Sequence, residues 1–472
     1  MSFKNIFLSH CILIIVLFIS FGCKNTSHLI SVIHTPPTVI KEHKPLLIPH
    51  DSTETIFNNL ERKDAVVLFY QKFGNAPVWI EEGNYTPLAD SMVNIVRNIR
   101  YYGFCKGGYH LNELENIQPD LSPEALLRKE LLLTDAFFSL SEDLKYGLQK
   151  PTVRNVQDSL QIKLLYEAVI KGSLKKTLES QEPTLSGYTS LKEALRLMID
   201  SVRSEWMDSI VNEDNIRAIT INLERWRTEN ANISGRYIFI NIPSYILYVV
   251  ENDSAILSSN VIVGKPETET PILSSVVECI SIYPYWHVPR KISIEEFLPV
   301  IKRDSTFISR NNFDILDRNR NVLNPDSIEW SKFNENYFPV VLRQREGSEN
   351  SLGIIKFVFD NPHAVFLHDT NAKRLFKKTT RALSHGCIRM EKAVELAHLL
   401  VTGVVGQKSK YVNKFLNEKQ QHWVDLKYPI PIHVRYLTCE FKDNTFFRYN
   451  DVYGKDKVLY EFFFGNTGNL DF

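Results

Sequence analysis

The chain has 472 residues, enough for two or three domains. Hydrophobic residues make up 44% and charged residues 23%, an ordinary globular composition that argues against long disorder. Lysine plus arginine and aspartate plus glutamate both number 55, so the net charge of zero offers no electrostatic reason for a nucleic-acid partner or for strong adhesion to anionic lipid.

The first two dozen residues differ from the rest. Lys4 supplies a small positive start, and Ile12 to Ile19 form an apolar run. The run is shorter than the roughly 20 residues that span a bilayer comfortably, and it reads as a secretory signal. Ser20-Phe21-Gly22-Cys23 resembles a lipobox, in which the Cys23 thiol is acylated and becomes the new N-terminus. An uncleaved anchor and a plain signal peptide are the alternatives. All three send the chain to the cell envelope, and the first predicts a periplasmic lipoprotein. Residues 24–50 carry Pro36, Pro37, Pro45 and Pro49 among polar residues, the composition of a tether.

From 51 to 218 the pattern is helical. Asp51 followed by Glu54 suggests a capped start, and Ile56, Phe57, Leu60, Val67 and Leu68 recur at helical spacing. Ser122-Pro123 reads as an N-cap and first helical residue before a long apolar-striped segment. Near 232 the texture turns to β. Tyr237 to Ile242, Tyr245 to Val250 and Ile256 to Val263 are strand-like runs, with Asn252-Asp253-Ser254 as a hairpin turn. Ile354 to Phe359 is a further run, and Ala364 to Leu367 leads into His368. Between about 288 and 350 lies a long polar and aromatic insertion, expected to be a lid or binding loop. A helix is expected from Glu391 to Leu400, and strand-like patterning from 430 to 463.

A cysteine attacks an acyl carbon as thiolate, so it needs a partner that takes its proton or lowers its pKa. His368 ends a predicted strand, which holds an imidazole on a rigid element. Cys387 follows a glycine and precedes a predicted helix, whose N-terminus is expected to stabilise thiolate and oxyanion. Gly386 lets a substrate approach the backbone N–H groups. Two other readings stand beside this one. Cys387 as a buried core residue is the commoner fate of a lone cysteine. A metal site from His363, His368, His385 and Cys387 has suitable nitrogen and sulfur donors but no common ligand spacing. The remaining cysteines, Cys105, Cys279 and Cys439, are scattered, and their disulfide pairing is open.

Ser384-His385-Gly386-Cys387, with a histidine upstream at position 368, resembles the signature of the YkuD-type L,D-transpeptidases, and the separation fits their large, YcbB-like branch. Asn222 to Trp226, Val263-Gly264-Lys265, Pro284 to Pro289 and Leu352 to Phe357 resemble the same branch. Phe69-Tyr70, Pro77-Val78-Trp79, Tyr101-Tyr102-Gly103 and Tyr109-His110 resemble its scaffold domain, and Asp451 to Asp456 resemble the branch more loosely. The resemblance implies an α+β chain: a signal at 1–23, a tether at 24–50, a mostly helical scaffold domain at 51–218, a mostly β catalytic domain at 219–405 with a long capping insertion, and an extension at 406–472. The peptidoglycan-binding helical module frequent in this branch is expected to be missing, since little chain lies between Ile199 and Ile219.

Residue by residue, the resemblance makes Cys387 the nucleophile and His368 the general base and later acid. Gly386 and Cys387 lie where backbone N–H groups form the oxyanion hole, and Ser384 and His385 support the nucleophile. Arg389 pairs with a substrate carboxylate or braces the loop; Trp286 contacts substrate or is a packed aromatic. Phe366 stands where the pattern also accepts tyrosine. The implied reaction forms a Cys387 thioester with a peptidoglycan tetrapeptide stem, releases D-alanine, and passes the acyl group to a neighbouring stem amine as a 3-3 cross-link. No metal or organic cofactor is implied. The partners are stem peptides, a membrane through the lipid anchor, and carbapenem-type covalent inhibitors. The rivals are an L,D-carboxypeptidase or endopeptidase that hydrolyses the same thioester, and a non-catalytic wall-binding lipoprotein.

Overall fold

A computed structural model describes residues 57–104, 108–115, 122–149, 158–203, 209–229, 233 and 235–465. The signal with Cys23, the tether, the expected cap at Asp51 and Cys105 lie outside the described residues. Backbone contacts divide the chain into two compact units. One is formed by residues up to 96 with 109–141 and 153–177; the other by 97–108, 142–152 and 178 onward.

The first unit is helical. It contains α1 (Lys63–Lys72), a short hairpin of β1 (Ile80–Glu81) and β2 (Asn84–Tyr85), most of α2 (Pro87–Arg97), α3 (Leu111–Glu115), most of α4 (Pro123–Tyr146), and α5 (Asp158–Lys171). The start of α4 follows the expected chemistry: Ser122 Oγ accepts the Ala125 N–H at 3.3 Å, and Pro123 occupies the first turn, where its missing N–H costs nothing. Phe69, Tyr70, Trp79, Phe137 and Phe138 are buried. Among them sits a carboxylate, Glu130, which accepts from the Tyr70 hydroxyl at 2.8 Å and from the N–H groups of Val78 and Trp79.

The second unit begins with α6 (Ser186–Arg203) and α7 (Ser209–Thr228); the latter runs without a break through position 218, the expected domain boundary. Its centre is a nine-stranded sheet in the order β13-β5-β14-β12-β11-β6-β15-β3-β4. The strands are β3 (Tyr237–Asn241), β4 (Ile246–Glu251), β5 (Ser254–Gly264), β6 (Leu273–Ile282), β11 (Ile355–Phe359), β12 (Leu367–His368), β13 (Ala382–Ser384), β14 (Ile388–Met390) and β15 (His422–Arg435). The turn between β4 and β5 is the expected one: Asn252 and Asp253 both take positive φ, at 49° and 60°, which a tight right-twisted hairpin requires. All five residues of β3 are buried. Ile238 and Ile240 join the main core, while Tyr237 and Phe239 pack among residues of α6 and α7. A strand covered on both faces loses the alternation that would mark it as half-buried.

The main core holds Ile280, Ile282, Ile355, Phe357, Leu367, Ile388 and Met390, together with Leu396 and Leu399 of α8 (Ala393–Thr402). Two expectations are corrected here. The segment from 286 to 344 is a small folded body, not a loop. Its strands β7 (Trp286–His287), β8 (Phe313–Leu316), β9 (Val322–Leu323) and β10 (Val341–Gln344) form a four-stranded sheet with its own core of Leu298, Ile301, Phe313, Ile315, Trp330, Phe338 and Leu342. Strands of two to four residues are too short to show a period-two pattern. At the C-terminus, β15 is followed by β16 (Cys439–Lys442) and β17 (Thr445–Arg448), but residues 456–464 form a helix, α9 (Asp456–Phe464), with Leu459, Phe463 and Phe464 buried. Its aromatic density reads as strand, yet its buried positions follow helical spacing.

Candidate active site

Register fixes which side chains share a face. Trp423 of β15 lies opposite Ser281 of β6, Ser281 opposite Lys356 of β11, Lys356 opposite His368 of β12, and His368 opposite Arg389 of β14. Their neighbours along each strand, Ile280, Phe357, Leu367 and Ile388, are buried in the main core. Side chains alternate along a strand, so this row points away from that core, as five residues side by side. Cys387 precedes Ile388 and falls on the same face one step along the strand, beside Phe366, whose carbonyl accepts the Ile388 N–H at 2.8 Å.

His368 and Cys387 thus sit on adjacent parallel strands, the one at the end of β12 and the other at the entrance to β14. His368 is buried and its Nδ1 lies 2.5 Å from the Asp369 carbonyl. A carbonyl only accepts, so Nδ1 carries the proton and Nε2 keeps its lone pair. Burial first, and the nearby Arg389 charge second, hold the imidazole neutral down to a pKa of about 3. Asp369 in turn accepts the Ile354 N–H at 3.1 Å and pairs with Lys373, which anchors the strand end carrying the histidine.

The turn before Cys387 is built by Ser384 and Gly386. Ser384 Oγ accepts the Gly386 N–H at 3.2 Å and donates to the Cys387 carbonyl at 2.5 Å. Gly386 has φ +108°, and a Cβ there would come within 3.3 Å of the Glu269 carbonyl. Of the two amides expected to face an oxyanion, that of Gly386 is engaged by Ser384; the Cys387 N–H has no acceptor among the described residues. Cys387 is followed by strand β14, and the helix starts only at Ala393. The expectation that a helix N-terminus stabilises the thiolate is therefore corrected. Burial pushes the Cys387 thiol up, against a Phe366 backbone hydrogen bond and the charges of Lys356 and Arg389, which pull it down.

The other expected residues divide. Arg389 is on the site face, and no carboxylate or carbonyl among the described residues engages its guanidinium. His385 turns outward, its Nε2 2.5 Å from Oε1 of Glu296 in the π-turn Ser293–Phe297 of the insertion. Trp286 packs on the insertion's core, 6.0 Å from the Phe297 ring and 6.4 Å from that of Phe313. His363 is exposed in a turn. Cys279 and Cys439 are free thiols.

Sequence reasoning passed over the braces of the turn before Cys387. Thr270 Oγ1 donates to the Gly386 carbonyl at 2.7 Å, and Thr268 Oγ1 to the Ser384 carbonyl at 3.1 Å. The Tyr453 hydroxyl donates to the Gly264 carbonyl at 2.8 Å and accepts the Thr270 N–H at 3.1 Å. The only signal for Tyr453 was its place in the 451–456 segment. Lys356 was also passed over, because its place beside His368 follows from strand pairing alone.

Comparison with known proteins agrees with this organisation. Residues 235–407 match the L,D-transpeptidase catalytic domain of the YkuD type, and residues 64–195 match the Scaffold domain. A Haemophilus influenzae protein named "Putative L,D-transpeptidase" is 34% identical over 248 residues, which is 52% of this chain and 50% of that protein; the match thus spans half the length of the relative. A solved structure of the Ldtfm–avibactam carbamoyl enzyme overlaps 43% of this chain and 49% of its own at 12% identity and a TM-score of 0.19, a likeness too low to bear on the fold. The chain thus carries a YkuD-type L,D-transpeptidase catalytic domain and, ahead of it, a Scaffold domain.

Proposed function

We propose that the chain is a peptidoglycan L,D-transpeptidase that forms 3-3 cross-links from the envelope side of a membrane. The observation that carries the reading is the placement of His368 and Cys387 on one sheet face of adjacent strands, with Nδ1 of the imidazole committed to a backbone carbonyl and Nε2 left to accept a proton. In the first half-reaction Cys387 Sγ adds to the carbonyl carbon of the stem's third residue as its proton passes to His368. The tetrahedral oxyanion is met by the Cys387 N–H, and by the Gly386 N–H once Ser384 releases it. The C–N bond then breaks, His368 returns the proton to the leaving D-alanine amine, and a thioester remains. In the second half-reaction a neighbouring stem's side-chain amine adds to the thioester, loses its proton to His368, and expels the thiolate as the new amide forms.

Arg389 supports a stem substrate. Among the described residues no carboxylate pairs with this cation on the Cys387 face, which suits it to a peptide carboxylate. Thioester chemistry of this kind also makes Cys387 a target for carbapenem-type acylation. Cys23 as a lipidation site and a periplasmic location rest on the N-terminal sequence pattern. The decisive experiment is incubation of the purified chain with tetrapeptide muropeptides, read by mass spectrometry. Cross-linked dimers with released D-alanine are expected, and none from Cys387→Ala. Tripeptide monomers alone would make the enzyme a hydrolase, and full activity in Cys387→Ala would end the proposal.

A further inference from the structure

Once β14 is seen to follow Cys387, the nucleophile lacks the helix N-terminus that holds many reactive cysteines as thiolates, and its burial works against ionisation. Some other group must carry that charge. The candidates are the groups that face the sulfur from each packed element: His368 from β12, Arg389 from β14 itself, Lys356 from β11, and beyond Lys356 the Cys279 thiol of β6. Glu296 of the insertion is engaged by His385. His368 is neutral until it takes the sulfur's proton and contributes no charge before then.

Lys356 has an unusual seat. It is registered opposite His368, yet its Nζ lies 3.5 Å from the centre of the Phe366 ring, the residue beside Cys387. Its stem therefore leans along the sheet, out of the histidine's row and toward the sulfur's row. Neighbouring rows on one face lie about 7 Å apart, so this lean decides which group the ammonium serves. No carboxylate pairs with Lys356 among the described residues. An aromatic face holds a cation without neutralising it, so the full charge stays available to a nearby anion.

We infer that Lys356 is a positioning residue that acts through Cys387, its ammonium held on Phe366 so that the sulfur ionises more readily than its burial alone would allow. The inference deepens the transpeptidase reading and rests on Cys387 being its nucleophile. The ammonium stays protonated throughout; it takes no proton and forms no bond, and it favours the negative charge that develops on the sulfur as its proton passes to His368 and again when the thioester is cleaved. Cys279 registers opposite Val358 and Asp425, in the row that contains Phe366, so the same ammonium lies between the two thiols. Its lowered pKa, set by burial and opposed by Cys387 and then Cys279, agrees with that placement.

The test measures the sulfur directly. The full chain is treated with iodoacetamide from about pH 6 to pH 10, and alkylation of the Cys387 peptide is followed by mass spectrometry, with Cys279 as an internal comparison. Lys356→Met is expected to raise the pH midpoint of Cys387 alkylation by about one unit and to slow the reaction near neutral pH about tenfold. Lys356→Arg keeps a cation on the same ring and is expected to restore the rate to within about threefold. Lys356→Gln serves as a second neutral variant should the methionine variant misfold. An unchanged midpoint in a folded neutral variant would overturn the inference, even if muropeptide transfer fell, since Lys356 would then be binding substrate. The two proposals fail separately: a shifted midpoint in a chain that cross-links nothing would sink the transpeptidase reading and leave the lysine's role standing.

Discussion

The two units each bury a titratable group, and the contrast shows what separates support from chemistry. In the helical unit Glu130 is fully subscribed. It accepts from Tyr70, Val78 and Trp79, while Thr134 accepts the Trp79 indole N–H at 2.8 Å and donates to the Glu130 carbonyl at 3.0 Å. Burial pushes the Glu130 pKa up to about 7, against those backbone and side-chain donors. On the sheet face of the other unit His368 has one ring nitrogen fixed and one open, the Cys387 N–H has no acceptor, and Lys356 and Arg389 have no carboxylate partner among the described residues. A perturbed pKa alone would have flagged both places. The difference is closure: the helical cluster satisfies its own polar atoms, whereas the sheet face leaves polar groups without partners among the described residues.

The hardest blow to that contrast comes from the open nitrogen. His368→Gln retains a side chain able to hydrogen-bond but removes the proton acceptor, and transfer is expected to fall about a thousandfold, within the usual range for a general base. Because the folded imidazole titrates near pH 3 rather than 6.5, the acid limb of kcat/KM is expected well below neutrality, with little loss between about pH 7 and 5. An acid limb centred near 6.5 would mean that the histidine is not held neutral as the geometry implies.

Glu130→Gln attacks the closed cluster. Its amide can present only one acceptor oxygen, so an NH2 must face one of the backbone donors, at an expected cost of about 2 kcal/mol. The pH response sharpens the comparison, because the two groups are shifted in opposite senses. Glu130 titrates higher folded than its ordinary 4.5, so the folded unit takes up a proton first and gains stability as pH falls from about 7 toward 4.5. His368, at about 3, and His433, at about 4, titrate below their ordinary 6.5, so there the unfolded chain takes up protons first and stability falls as pH drops below 6.5. Hydrogen exchange corrected for intrinsic rates should show α4 better protected at pH 5 than at pH 7, and β12 less so. Parallel changes in both regions would remove the distinction, as would an unaltered α4 response in Glu130→Gln.

How much of this was legible beforehand depended on the length of the pattern. Cys387, His368 and Arg389 stood out as candidates because Ser384-His385-Gly386-Cys387-Ile388-Arg389, with a histidine upstream, makes a compact pattern. The hairpin at Asn252-Asp253 was readable because its turn demands positive φ. The strand after Cys387 was not, since Ile388-Arg389-Met390 is too short to alternate visibly and merges with the helix beyond. Lys356 and Tyr453 were invisible as site residues for another reason: each acquires its role from a partner distant in sequence, His368 and Phe366 in one case and Gly264 and Thr270 in the other. The insertion hid its own sheet behind strands as short as two residues.

That insertion supplies the mildest test. It has a separate core, and its Glu296 reaches His385 in the nucleophile's own motif at 2.5 Å. Both side chains are partly exposed, 47% and 34%, so the contact belongs with surface polar pairs worth at most about 1 kcal/mol. It ties the insertion to the nucleophile turn without touching the reacting atoms. Glu296→Gln is therefore expected to change KM by no more than about threefold, to leave kcat nearly unaltered, and to weaken the dependence of KM on salt. A tenfold loss in kcat would show that His385 acts on Cys387 through this pair, and the boundary drawn between the open face and its closed surroundings would then have to include the insertion.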